Sequence, residues 1–186
     1  MSAAKIVAIV VGVVFLCVVL LVLYVSFGLV AVRTTGVNIS QERTGNEEGR
    51  TIEISKGIDD MIVSLSLKPN PVAVGEDLAM TVSVTNTAKE PRELSFRSSQ
   101  RYDFRVVDAN GDEVWRWSEG RMFAQVLEDV VLQSARKTEY SESWSLVDSR
   151  GAPVKAGEYR VFGAIVADEL KGEELEIDVG VEAAER

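Results

Sequence analysis

Alternating apolar and polar side chains, turn residues recurring about every ten positions, and one long uncharged run predict an all-β chain. The expectation is an immunoglobulin-like antiparallel β-sandwich preceded by a single transmembrane helix. Four segments follow from these patterns: a short N-terminal tail (1–5), the transmembrane helix (6–32), a flexible polar stalk (33–50) and the sandwich domain (51–186).

The uncharged run extends from Ile6 to Val32, about 27 residues between Lys5 and Arg33. As a helix it would be about 40 Å long, more than the ~30 Å hydrocarbon core requires. It is longer than the apolar part of a secretory leader and no small-x-small cleavage site follows it, so a retained anchor in the cytoplasmic membrane is expected. Cys17, the only cysteine, falls within this run and reads as a small packing residue, so disulfides are not expected to support the fold. Lys5 and the amino terminus stand against Arg33, Arg43 and Arg50, a count that slightly favours a cytoplasmic domain. Acidity argues the other way. Lys5 is the sole charged side chain before Arg33, so residues 33–186 carry a net charge of −10, which an anionic inner leaflet repels. A single-pass protein with an extracytoplasmic domain is the expectation. Residues 33–50 are polar and Gly-punctuated, as in a stalk, and Asn38-Ile39-Ser40 fits a glycosylation acceptor too short to carry weight.

From Thr51 the apolar period is two. Ile62, Val63, Leu65 and Leu67 form one strand; Leu78, Met80, Val82 and Val84 alternate with Ala79, Thr81, Ser83 and Thr85 in the next. Lys68-Pro69-Asn70-Pro71 and Gly75-Glu76 supply the turns between them, and Asn86 to Pro91 another. Leu94 and Phe96 continue the pattern. Tyr102, Phe104 and Val106 alternate with Asp103, Arg105 and Val107, and further strands are expected around 113–118, 126–132, 137–146, 158–167 and 174–181. Seven to nine such strands fit the sandwich, and no amphipathic helix of useful length follows the anchor.

Asn110-Gly111 predicts a two-residue hairpin turn, because both central positions of that turn need positive φ. It would pair Val106 with Trp115 and Phe104 with Trp117. Tyr102, Phe104, Trp115 and Trp117 then share a face as a structural aromatic cluster, with both tryptophans expected to be buried. Arg105 faces Arg116 on the opposite side, which predicts a solvent-exposed face with Asp103 or another acid between the two. Ser98, Gln100 and Asp103 read as strand-end caps.

Enzyme chemistry is not expected. The sequence contains no histidine, which removes the usual general base, triads built on it and imidazole ligation. Asp108, Asn110 and Asp112 only superficially suggest a calcium loop, since Gly111 falls at the fourth place and no bidentate acid follows at the required spacing. No phosphate-cradling glycine motif occurs, and the acidic balance argues against nucleic acid. No cofactor and no metal site are therefore expected.

Three segments carry a family resemblance. Arg97-Ser98-Ser99-Gln100-Arg101-Tyr102-Asp103-Phe104, then Glu113 through Phe123 (EVWRWSEGRMF), then Gly151-Ala152-Pro153-Val154 with Ala156-Gly157-Glu158-Tyr159, resemble the BsuPI family of bacterial intracellular proteinase inhibitor domains over about residues 60 to 167. The resemblance implies one immunoglobulin-like sandwich that binds and inhibits a serine proteinase. The anchor run departs from a family named for intracellular proteins. No inhibitory motif transfers, so a loop must be chosen on physical grounds: exposed, extended and rigid. Ser118 to Gln125 is the first candidate, with Arg121, Met122 and Phe123 as partner-binding residues unless Met122 and Phe123 turn inward to cap the core. Asp148 to Gly157 is the second. Two functions remain open: a membrane-anchored inhibitor of a serine proteinase, or a non-inhibitory interaction or assembly module that binds an envelope protein.

Overall fold

A computed structural model describes residues 51–170 and 172–184. The tail, transmembrane helix and stalk expected over 1–50 lie outside the described residues. Among the described residues no helix is long and apolar enough to cross a membrane.

Strands dominate the domain: β1 (Ile52–Ile58), β2 (Met61–Lys68), β3 (Val72–Ala73), β4 (Leu78–Asn86), β5 (Arg92–Phe96), β6 (Tyr102–Asp108), β7 (Glu113–Arg116), β8 (Glu128–Leu132), β9 (Lys137–Trp144), β10 (Gly157–Ile165) and β11 (Leu175–Glu182). A 3-10 turn covers Asp168–Leu170. One sheet runs β1-β2-β4-β9, a second β3-β11-β10-β6-β7, and β5 pairs with β8. All pairings are antiparallel except that of β3 with β11.

The two larger sheets pack face to face because strand residues two apart share a face. Leu65, Leu67, Met80, Val82 and Val84 point inward from the first; Phe104, Val106, Val161, Ile177 and Val179 meet them from the second. Leu94, Phe96 and Leu132 add the β5–β8 pair to the same core. The sheets approach closely at Gly163, where a β-carbon would sit 2.7 Å from Leu65 Cδ1. Ile62 faces solvent, as the alternation through Val63, Leu65 and Leu67 requires.

The β6–β7 hairpin corrects the expected turn while keeping its register. Only Gly111, not Asn110, takes positive φ (89°), and Gly111 N–H donates to Asp108 O at 3.0 Å. Asp108 N–H donates to Asp112 O at 2.9 Å, leaving a three-residue loop. Asp108 Oδ1 accepts from the N–H of Asn110 (2.9 Å) and of Asp112 (3.0 Å), which favours this loop over the two-residue form. A register shift between Val106 and Val107 then takes up one residue on β7, so that Val106 pairs with Trp115 and Arg105 with Arg116, as the alternation requires.

Candidate functional site

β6 and β7 form the platform. Arg105 and Arg116 lie opposite each other on the outer face, and each has its own carboxylate. Arg105 is paired with Glu174 (2.6 Å) and lies 3.7 Å above the Phe162 ring; Arg116 is held by Glu113 (2.7 Å) and Asp103 (2.8 Å). These bonds push the Arg116 guanidinium up from its usual range and hold the Glu113 carboxyl below its own. Asp103 also accepts from Ser118 N–H (3.2 Å) and Oγ–H (2.8 Å), anchoring the chain where it leaves β7. Ser98 Oγ accepts from Gln100 N–H (3.2 Å), and the Gln100 amide donates to Tyr102 O (3.1 Å), the strand-end roles expected of them.

The aromatic residues divide into two groups. Tyr102 lies 4.3 Å from Trp117, 5.7 Å from Phe104 and 4.9 Å from Tyr140. Burial and a hydrogen bond to Glu142 push its phenol up. Trp115 belongs elsewhere, 6.4 Å from Trp144, which in turn meets Tyr159 at 5.9 Å. Trp115 and Trp117 are half-buried, not fully buried as expected, because both lie on or just beyond the edge strand of their sheet. Trp144, which the sequence does not mark because β9 alternates weakly, is the largest fully buried side chain among the described residues.

A turn at Ser118–Arg121, closed by Arg121 N–H to Ser118 O (3.1 Å) with Gly120 at φ 71°, starts an irregular segment that reaches β8 at Glu128. Arg121 Nε donates to Trp117 O at 2.8 Å and its guanidinium lies 4.3 Å above the Trp117 ring. Phe123 packs on the same indole at 5.8 Å. Met122, between them, is 98% exposed. Ala124 is fixed to Ser99 in both directions, its C=O accepting from Ser99 N–H (2.9 Å) and its N–H donating to Ser99 Oγ (3.0 Å). Beyond it Val126, Leu127 and Val131 are exposed apolar side chains that the sequence reading did not single out. Beneath the loop the Trp117 indole N–H is buried without an acceptor.

The other candidate, Asp148 to Gly157, is a self-satisfied connection. Asp148 Oδ1 accepts from Arg150 N–H (2.9 Å) and Ala152 N–H (2.8 Å), and Val154 N–H donates to Leu146 O (2.9 Å). A cavity of about 190 Å³ beside the hairpin is lined by Asp108, Ala109, Glu158, Tyr159, Arg160 and Asp178, four of which are charged. Among the described residues no group of histidine, cysteine, aspartate and glutamate side chains is arranged to hold a metal ion.

No curated protein matches this chain. Among solved structures, the β-glucosidase from Listeria innocua in complex with isofagomine is 17% identical over 70% of this chain and 16% of that chain, with a TM-score of 0.40. The CARDB domain of a Pyrococcus furiosus protein in complex with di-metal ions is 19% identical over 66% of this chain and 87% of that chain, with a TM-score of 0.34. The chain thus spans about 16% of the glucosidase's length. Residues 65–170, from the middle of β2 through the 3-10 turn, match the BsuPI family, described as intracellular proteinase inhibitor. That match covers more than half of the sequence and includes both the hairpin platform and the loop it carries: the chain belongs to the BsuPI intracellular proteinase inhibitor family.

Proposed function

We propose that this protein is a membrane-anchored, immunoglobulin-like binding module that inhibits a serine proteinase by presenting the loop Ser118–Gln125, with Arg121, Met122 and Phe123 at its centre. Family membership supports inhibition, and one observation selects the loop. It is an irregular segment fixed at Arg121 and Ala124, with an intervening side chain exposed to solvent. Such preorganisation lowers the ordering cost of binding. The run Ile6–Val32 would hold the domain at the membrane, and the domain's acidity supports an extracytoplasmic position.

The test is titration of serine proteinases with the detergent-solubilised full chain. Inhibition at micromolar or lower concentration that survives long incubation is expected. Rapid cleavage within 118–125, or no effect on any proteinase tested, would remove the inhibitor role. The exposed apolar side chains of Val126, Leu127 and Val131 favour a second reading, a non-inhibitory interaction or assembly module at the cell envelope. Stoichiometric co-purification of an envelope protein that Leu127→Glu abolishes would support it.

A further inference from the structure

The loop's three central side chains have different fates. In an extended chain residues i and i+2 point to one side and i+1 to the other. Arg121 and Phe123 both pack on Trp117, at 4.3 Å and 5.8 Å, so Met122 projects away from the domain. The cation that sequence alone offers to a proteinase pocket is therefore already engaged: Arg121 lies over an indole and its Nε is bonded to Trp117 O at 2.8 Å. Among the described residues no hydrogen bond engages the N–H or C=O of Met122 or Phe123, which leaves that stretch of main chain free to pair with an extended binding cleft. Ser99 fixes the next residue, Ala124, from both sides.

Resting on the inhibitor reading, we infer that Met122 is the side chain that enters the primary specificity pocket, and that the target is a proteinase whose pocket is deep, apolar and uncharged. An unbranched thioether suits such a slot and gains nothing from a carboxylate at its base. Arg121 and Phe123 act as positioning residues that hold Met122 outward by clasping Trp117.

The experiment compares the full chain with Met122→Lys and Arg121→Ala against chymotrypsin, whose pocket is apolar, and trypsin, whose pocket is acidic. Wild type is expected to inhibit chymotrypsin at least about a hundredfold more tightly than trypsin, and Met122→Lys to reverse that order, as a charge-matched pocket contact would. Arg121→Ala should weaken both by a similar factor. Thermal midpoints should not move for Met122→Lys, since this side chain is 98% exposed. Peroxide supplies a second measurement. Met61 and Met80 are 5% and 0% exposed, so among the methionines of the described residues mild oxidation should convert Met122 selectively to the sulfoxide and lower chymotrypsin inhibition at least about tenfold. Wild-type preference for trypsin that Arg121→Ala removes would overturn this assignment and leave the inhibitor reading standing, as would inhibition unchanged in both Met122→Lys and the sulfoxide. Inhibition of neither enzyme, nor of any other serine proteinase, would overturn both.

Discussion

Asn86 shows how a single polar side chain fixes the outer end of β4. It is fully buried, and its amide donates to Glu90 O (2.9 Å) and Leu132 O (2.8 Å) while its Oδ1 accepts from Ala88 N–H (2.8 Å). The turn composition around 86–91 was readable in the sequence. The long-range bond to Leu132 was not, because nothing local marks position 132 as a partner. Asn86→Ala strands two carbonyls and an N–H and should cost about 2 to 4 kcal/mol in urea unfolding. Asn86→Asp should cost more at neutral pH, since it turns an acceptor toward two carbonyls and buries a charge; an aspartate variant as stable as wild type would show that this side chain does not make these bonds. Trp117 behaves differently, because its indole N–H is buried without a partner. Trp117→Phe removes that unpaired donor along with ring volume and should cost less than about 1.5 kcal/mol, whereas Trp117→Ala should cost about 3 kcal/mol.

At the scale of the hairpin, register was legible and loop geometry was not. Alternation of Tyr102, Phe104 and Val106 against Trp115 and Trp117 constrains which residues oppose one another, and Val106 does pair with Trp115. Asn-Gly suggested a two-residue turn, but the Asp108 carboxylate draws in two backbone N–H groups, and the shift beyond Val107 absorbs the extra residue. Alternation cannot reveal a bulge, which changes pairing without changing composition. The same hairpin contributes a pH dependence. Asp108 is held below the usual carboxylate range, chiefly by the Asp112 N–H, and Glu113 chiefly by its bonds from Arg116. A depressed carboxyl stabilises the fold above its unfolded pKa, about 4.3 for glutamate, and that contribution is lost as pH falls through the lower folded value. Glu113→Gln should therefore melt below wild type at pH 7, with the gap closing near pH 3; an equal gap at both pH values would exclude the ion pair as its origin. Gly163 marks a limit of another kind, since the approach of the two sheets is a tertiary fact. Its absent β-carbon would stand 2.7 Å from Leu65 Cδ1 and 3.1 Å from Phe104 Cε1, so Gly163→Ala should destabilise by about 1 to 3 kcal/mol. Combining it with Leu65→Val should recover part of the loss if that contact is the cause.

For the whole molecule, the membrane anchoring proposed above makes function depend on which side of the membrane the Met122 loop faces. The all-β domain was legible because strand periodicity and turn chemistry agree over more than a hundred residues, while the loop's apex was not: whether Met122 points out depends on where Arg121 and Phe123 pack, and that depends on Trp117. Sidedness depends on two opposing sequence signals. Arg33, Arg43 and Arg50 slightly favour retention inside, and a net charge of −10 on residues 33–186 favours exclusion from an anionic surface. An extracytoplasmic domain should be digested or released when a broad-specificity proteinase that the chain does not inhibit is added to intact spheroplasts, with an antibody to the C-terminal strand as readout. Cytoplasmic marker proteins must remain intact in the same sample. Protection until the membrane is lysed would place the domain inside and redirect the search for its target to an intracellular proteinase. The apolar-pocket preference argued from Met122 would still hold in that case, because it depends on the loop and not on the compartment.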